Sequence, residues 1–272
     1  MAHVRYEVLP FAGVEAVAAA APAPLTLTVT CSPRQGMDAA LDVATRLKRL
    51  GHAVVLHMAA RMVRGPEHLD ALLERMQAAG IADVFLVAGD AQQPLGPYAS
   101  ALDLIGPLRA HPHAPRSIGV PAYPEGHPLI DAGTLARVLQ AKADHADYMT
   151  TQICFDPDAV LRWLHETRAA GVDLPLYVGV PGAVDRRRLL EVSLRVGVGA
   201  SVSFIRKQRG LRHLTGRSLG ASERLMAATL LLMGPELGVA GLHFFTFNRL
   251  VETTRFVERR LAAPQAMSVS RR

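Results

Sequence analysis

Polar and acidic side chains stand at the ends of several short apolar runs in this chain. Glu7 lies in the first run, Asp90 follows the fourth, and Gln152 follows the sixth. Carboxyl groups are among the side chains that exchange protons with substrates, and an amide can hydrogen-bond a ligand in a fixed orientation. A glutamate in an apolar strand costs free energy unless it is paired or functional. These residues are therefore candidates for a catalytic site.

Each candidate also has a structural explanation. Glu7 could pair with an arginine, Asp90 could cap the helix that follows it, and His57 could be a buried histidine with partners of its own. Gln152 in a buried strand needs hydrogen-bond partners, which either the protein or a ligand could supply. Arg249 could pair with a surface acid. Residue type alone leaves both explanations open.

The elements that would position these residues follow a regular alternation. Short β-branched, apolar runs alternate with longer runs of helical spacing, which predicts βα units and a parallel sheet. We expect strands at residues 4–10, 25–31, 53–59, 83–90, 117–123, 148–155, 175–180 and 241–247. We expect helices at residues 37–50, 67–79, 99–109, 131–144, 157–171, 185–196, 222–233 and 251–261. The Ala-rich stretch after the first strand is expected to be a short connection.

About eight strand–helix pairs predict an α/β protein with a single (β/α)8 TIM barrel. The chain of 272 residues is close to the usual length of this fold, and no GxGxxG motif follows the first strand to indicate an open dinucleotide-binding sheet. We expect residues 1–262 to form the barrel and residues 263–272 to form a flexible tail. Catalytic groups of such barrels lie at the C-terminal ends of the strands, where the polar residues above are found.

The composition restricts the classes of partner. The chain has 30 Lys+Arg against 24 Asp+Glu, a formal charge of +6, which fits an acidic ligand such as a dinucleotide. Residues 204–217 are basic and could be either a solvated face or a docking site for phosphates. The sequence has no nucleic-acid motif, no run long enough for a membrane helix and no secretory layout, so we expect no nucleic-acid or membrane partner and a cytoplasmic location. Homo-oligomerisation stays open.

The two cysteines do not indicate a metal site. Cys31 and Cys154 lie in apolar, strand-like runs, and neither belongs to a CxxC pair or to a Cys/His spacing typical of zinc ligands. Small buried thiols are the simpler interpretation. We therefore expect no metal.

Five short strings, taken together, resemble the methylenetetrahydrofolate reductase family. They are YEVLP at 6–10, GD at 89–90, AYPEGHP at 122–128, TQICFD at 151–156 and HFFTFNR at 243–249. They occur in the family's order and at comparable spacing over nearly the whole chain. The resemblance implies a (β/α)8 barrel that reduces 5,10-methylenetetrahydrofolate to 5-methyltetrahydrofolate. NAD(P)H would be the hydride source, usually through FAD, and a folate would be the small-molecule substrate.

The resemblance also implies roles for individual residues. Glu7 would be the general acid that protonates N10 of the folate. Asp90 would lie between flavin and pterin and stabilise a cationic iminium, and Gln152 would contact the pterin. Arg249 closes the last motif and is included among the substrate-binding candidates. The cofactor-binding candidates would be Thr30, His57, Gly89, Tyr98, Tyr123, His127 and Lys142.

Most departures from the family pattern fall on the flavin side. Val8 and Leu9 stand where the family has aromatic residues, Ala88 stands where it has an arginine before Gly-Asp, and Met58 and Ala59 replace Leu-Thr. Transfer through FAD and direct transfer from NAD(P)H to the folate therefore both stay open. Two other functions also stay open: a non-catalytic folate-binding or regulatory barrel, and a barrel enzyme acting on a phosphorylated substrate.

Overall fold

The computed structural model describes residues 3–22, 24–183 and 237–262. Its eight strands are all parallel and close into a barrel in sequence order, with the last strand paired to the first. The predicted (β/α)8 barrel is thereby confirmed. Within the described ranges, no helix has the length and hydropathy needed to cross a membrane.

The strands are short and the helices lie between them. The strands are β1 His3–Val8, β2 Thr26–Val29, β3 Ala53–Ala59, β4 Asp83–Val87, β5 Ser117–Ala122, β6 Tyr148–Thr151, β7 Leu176–Pro181 and β8 Val239–Phe245. The helices are α1 Val14–Ala19, α2 Gly36–Arg49, α3 Pro66–Ala78, α4 Ala101–Ala110, α5 Ala132–Ala143, α6 Pro157–Ala169 and α7 Leu250–Ala262. A 3-10 turn, Ala60–Met62, follows β3.

The sequence predicted several strands too long at their C-terminal ends. β4 stops at Val87 and β6 at Thr151, so residues 88–90 and 152–155 are loop at the rim of the barrel. The Ala-rich connection was also a wrong prediction, because Val14–Ala19 is a helix whose Val14 and Ala18 are fully buried. The helices expected at 185–196 and 222–233, the basic segment 204–217 and the tail 263–272 lie outside the described residues.

Side chains on the strands face either outward, towards the helices, or inward, into the barrel. Alternate residues of each strand, such as Leu27 on β2 and Leu56 on β3, face outward and join the core beneath the helices. In α2 the matching apolar side chains recur at helical spacing, and Asp156 caps α6 by accepting hydrogen bonds from two backbone N–H groups. Residues between the outward ones face the barrel interior, where Phe85 belongs to a separate cluster.

An arginine fills the end of the interior at which the strands begin. The guanidinium carbon of Arg5 lies 4.0 Å from the ring centroids of both Tyr148 and Tyr177. Its Nη2 donates to Asp83 Oδ2 at 3.2 Å, and the Tyr148 hydroxyl donates to Asp83 Oδ1 at 2.9 Å. Burial raises the pKa of the Asp83 carboxyl to about 6, although the charge of Arg5 acts in the opposite direction. This network joins β1, β4, β6 and β7 across the barrel and closes its lower end.

Replacing the arginine tests how much this network stabilises the fold. Arg5→Met leaves the Asp83 carboxylate buried without its cation, so we expect the free energy of unfolding at neutral pH to fall by about 3 kcal/mol. Denaturant titration would measure the loss. Arg5→Met combined with Asp83→Asn should recover part of it, because no buried charge then remains unpaired. The exposed Arg162→Met is the matched control. An Arg5→Met protein as stable as this control would contradict the account.

Candidate active site

Glu7 lies inside the barrel near the C-terminal end of β1. Its neighbours Tyr6 and Val8 pack outward under the helices, so alternation along the strand turns the Glu7 side chain inward. The side chain is 15% exposed, and its Oε2 lies 3.6 Å from Nε2 of His243 on β8, which is 3% exposed. An acidic group thus stands beside a buried imidazole in a setting largely shielded from water.

His57 on β3 lies deeper in the same region. Burial lowers the pKa of its imidazole to about 4; the negative charge of Glu7 raises this pKa and the nearby His243 lowers it. The ring lies against Phe85, with centroids 4.9 Å apart. His57 is therefore neutral near pH 7, and its Nε2 is a buried polar atom without a hydrogen-bond partner in the described part of the chain.

Asp90 is exposed at the rim after β4. Gly89 before it has φ 89°, and a Cβ there would lie 2.8 Å from the Cβ of Ala59, so the turn requires glycine. The pKa of Tyr123 is raised by burial and by the charge of Asp90, and the pKa of Cys31 is raised to about 12 by the same two causes. Asp90 therefore lies near the ends of both β2 and β5, at the C-terminal end of the barrel.

Gln152 follows β6 and continues its inward-facing alternation. Its backbone N–H donates to the Ala122 carbonyl at 2.8 Å, and its side-chain Oε1 accepts a hydrogen bond of 2.8 Å from the Ile153 N–H. The amide nitrogen has no partner among the described residues, so the side chain presents N–H donors to a ligand. Nearby, Glu125 has a structural role, because its Oε1 accepts from the N–H groups of Phe155 and Asp156 and joins two rim loops.

Three further predicted residues lie at the same end of the barrel. Thr30 follows β2, and its buried Oγ1 has no partner within the described ranges. Tyr123 and His127 lie in the loop after β5 with their rings in an edge-to-face contact, centroids 5.2 Å apart. Burial lowers the pKa of His127, whose Nδ1 accepts from the Leu129 N–H.

The structure places Tyr98 in the loop between β4 and α4, at the same end of the barrel, but it places Lys142 at the other end. Tyr98 is 7% exposed, and its pKa is raised by burial and then by the carboxylates of Asp70 and Glu67, which belong to α3. Lys142 lies in the last turn of α5, before the loop that enters β6 from the lower end of the barrel, and burial lowers its pKa to about 8. Arg249 is exposed beside the rim, just before α7.

A flavin or nicotinamide would find partners for its ring in this arrangement, whereas the positions predicted to contact its phosphates offer none among the described residues. Thr30 Oγ1 and His57 Nε2 are unpartnered polar atoms that fit the polar edge of such a ring. Phosphates need cations or clustered N–H groups. Ala88 supplies neither, Lys142 lies elsewhere, and the basic segment 204–217 is outside the described residues. The ring half of the cofactor therefore fits the residues that can be described.

An apolar patch completes the rim. Ile153 and Phe155 after β6 pack with Phe245 and Phe247 at the end of β8, separately from the main core. The patch gives the opening an apolar side, and its Phe245 is the β8 register partner of Glu7, so apolar and acidic groups adjoin there. A ligand with a flat aromatic ring and a polar edge would match such a mixed lining.

His243 is the functional candidate that sequence reasoning missed. It belongs to the string HFFTFNR, but no role was predicted for it. The available signal was alternation, since His243 lies between the outward-facing Leu242 and Phe244 and must therefore face the interior.

A groove of about 220 Å³ between α1 and α2 contains none of the predicted site residues. The described residues contain no group of three or more potential metal ligands.

The lowered pKa of His57 predicts a pH dependence of stability. Its pKa of about 4 in the folded protein lies below the ordinary histidine value of 6.5. In the unfolded chain, His57 is protonated below about pH 6.5, whereas in the folded protein it is protonated only below about pH 4. Because the unfolded chain binds more protons between these values, the free energy of unfolding falls as the pH falls from 6.5 to 4. Compared with His57→Gln, the wild-type protein should lose about 3 kcal/mol more of its unfolding free energy by pH 4. Denaturant titrations at several pH values measure this difference, and parallel pH profiles would contradict it.

The chain is similar in sequence to known proteins. The family model described as methylenetetrahydrofolate reductase matches residues 14–260. Methylenetetrahydrofolate reductase 1 of Schizosaccharomyces pombe is 31% identical over 122 residues, which are 42% of this chain and 20% of that protein. The 5,10-methylenetetrahydrofolate reductase of Pectobacterium carotovorum is 27% identical over 191 residues, 67% of this chain and 61% of that protein.

Two further proteins define the extent of the likeness. Methylenetetrahydrofolate reductase (NADH) 1 of Arabidopsis thaliana is 30% identical over 162 residues, 53% of this chain and 27% of that protein. The match thus spans about a quarter of that relative. A solved oxaloacetate acetylhydrolase covers 96% of this chain and 80% of its own at 12% identity with a TM-score of 0.54, a likeness of fold alone. The family match over most of the chain confirms the resemblance in the motifs, and the chain belongs to the methylenetetrahydrofolate reductase family.

Proposed function

We propose that this chain reduces 5,10-methylenetetrahydrofolate to 5-methyltetrahydrofolate with NAD(P)H as the hydride source. The observation that carries the proposal is the inward-facing Glu7 beside the buried His243, at the end of the barrel that also holds Asp90 and Gln152. Family membership supports the reaction class. Two relatives named as NADH enzymes, from Arabidopsis thaliana and Zea mays, support NADH as the donor.

Glu7 is suited to the proton step. Protonation of N10 breaks its bond to the bridging carbon and leaves an N5 iminium, and hydride addition to that carbon gives the methyl group. The carboxyl group of Glu7 would supply the proton, which leaves a carboxylate facing the cationic iminium. The Nε2 of His243 lies 3.6 Å from the Glu7 carboxyl, so the buried imidazole is its immediate neighbour inside the barrel.

Asp90 and Gln152 are suited to orienting the pterin. An exposed carboxylate at the C-terminal end of the barrel can accept hydrogen bonds from an amidine edge and lower the energy of a nearby cation. Gln152 presents amide N–H donors because its oxygen is already bonded to the Ile153 N–H. Donors on one strand end and an acceptor on another would fix the ring in its plane. The apolar patch of Phe245 and its neighbours would cover one ring face and exclude water.

The bound cofactor supplies the hydride, either directly from a nicotinamide or through a flavin. Thr30 and His57 are the residues that would hold the polar edge of its ring. Because the His57 imidazole stays neutral, it would orient this ring without adding a positive charge.

A glutamine substitution tests the proton step. Glu7→Gln keeps the size and polarity of the side chain but removes the acid, so we expect kcat to fall at least about 100-fold while folate binding changes little. Steady-state kinetics with a separate binding titration measure both quantities. The exposed Glu74→Gln on α3 is the matched control. Unchanged turnover in Glu7→Gln would refute this role, and tight folate binding without turnover in the wild type would favour a non-catalytic folate-binding barrel.

The hydride source can be tested on the purified protein. We expect NADH oxidation that depends on added methylenetetrahydrofolate. A visible flavin absorbance band together with stimulation by FAD selects transfer through flavin, whereas colourless protein that turns over without FAD selects direct transfer. If neither NADH nor NADPH is consumed with or without FAD, the proposed reaction is wrong.

A further inference from the structure

The turn between β8 and α7 contains an unusual pair of backbone conformations. Phe247 has φ 50° and Asn248 has φ 65°, and these are the two non-glycine residues with positive φ in the described part of the chain. Asparagine tolerates the left-handed region, but phenylalanine rarely adopts it. Such a conformation persists only where the surrounding contacts determine it, and it is often associated with function.

Side chains from this turn hold the end of β1. The hydroxyl of Thr246, which is 0% exposed, donates a hydrogen bond to the backbone carbonyl of Glu7. The side-chain Oδ1 of Asn248 accepts a hydrogen bond of 3.3 Å from the backbone N–H of Leu9. These bonds lie on both sides of Val8, immediately after the proposed acid.

These bonds lie where the pairing between β1 and β8 ends. The last paired residues of β1 and β8 are Glu7 and Phe245, so beyond them the β1 backbone has no ladder partner on this side. Thr246 and Asn248 replace the missing ladder with side-chain bonds. The left-handed turn is what brings the Asn248 side chain back to β1, while Phe247 packs into the apolar patch with Phe155.

We propose that Thr246 and Asn248 are positioning residues that fix the direction in which the Glu7 carboxyl points. This inference rests on the proposed function, because it assumes that Glu7 delivers a proton to the substrate. The two residues do not touch the substrate themselves. They hold the β1 backbone around Glu7 so that its carboxyl stays beside His243 and below the barrel opening.

Substitutions at Asn248 separate this role from simple folding. Asn248→Gly removes the acceptor but suits the left-handed backbone, so the protein should be as stable as the wild type. Its kcat should fall between about 10-fold and 100-fold with little change in KM for the folate, since a small displacement of a catalytic group is enough to slow turnover. Asn248→Asp keeps an acceptor and should restore most of the lost turnover, whereas Asn248→Ala should lose both turnover and stability.

Thr246→Val provides a second, nearly isosteric test. It removes the hydroxyl that donates to the Glu7 carbonyl, and kcat should fall, as in Asn248→Gly. Thr254→Val is the matched control, because Thr254 is equally buried but its hydroxyl bonds the Val251 carbonyl within α7.

Amide hydrogen exchange tests the clamp, that is, the hydrogen bonds from Thr246 and Asn248 to the β1 backbone, without using activity. The Leu9 N–H should exchange faster in Asn248→Gly than in the wild type, and a crystal structure should show the Glu7 carboxyl displaced from His243. Unchanged exchange at Leu9, or faster exchange with wild-type kcat, would overturn the inference. If the wild-type chain has no turnover at all, the proposed function fails, and the exchange rate and the Glu7 position still decide whether the clamp exists.

Discussion

The pairing of β8 with β1 is the constraint on which the candidate site depends. A parallel sheet of eight strands has no free edge only when its last strand meets its first, and here that pairing ends at Glu7 and Phe245. Glu7 is therefore held on both sides by neighbouring strands while its carboxyl faces the interior. The same pairing puts His243 in the barrel wall beside it. An acid and an imidazole from opposite ends of the sequence become neighbours because the barrel closes.

The polar groups at the two ends of the barrel interior differ in whether they have partners. At the lower end, the charge of Arg5 is balanced by Asp83 and covered by two tyrosine rings. Towards the opening, the buried polar atoms of Thr28, Thr30 and His57 have no hydrogen-bond partners in the parts of the chain described. Unpaired buried polar groups cost free energy. Their concentration near the opening is consistent with a ligand that supplies the partners, whereas the lower end already satisfies its own.

Periodicity was enough to predict the barrel. β3 was predicted at its observed bounds, and α5 and α6 begin within one residue of their predicted starts. The ends of β4 and β6 were placed too late, because apolar residues such as Ile153 and Phe155 belong to the rim patch rather than to a strand. Residue type alone cannot distinguish these two environments.

The site was harder to predict than the fold. The polar residues at strand ends follow from the barrel rule, and the motifs assigned roles to them. The partner of Glu7 could not be predicted in the same way, since His243 meets it only through the register of β1 with β8. The left-handed turn at Phe247 was equally hidden, because its sequence has no glycine to mark it.

The central claim is that Glu7, Asp90 and Gln152 act on one ligand. A crystal structure of the protein with bound 5-methyltetrahydrofolate tests it most directly. The account predicts the pterin between Asp90 and Gln152, lying against the Phe245 side of the opening, with the Glu7 carboxyl directed at the N5–N10 region. A folate bound away from the opening, or one bound there with Glu7 turned away from it, would contradict the account.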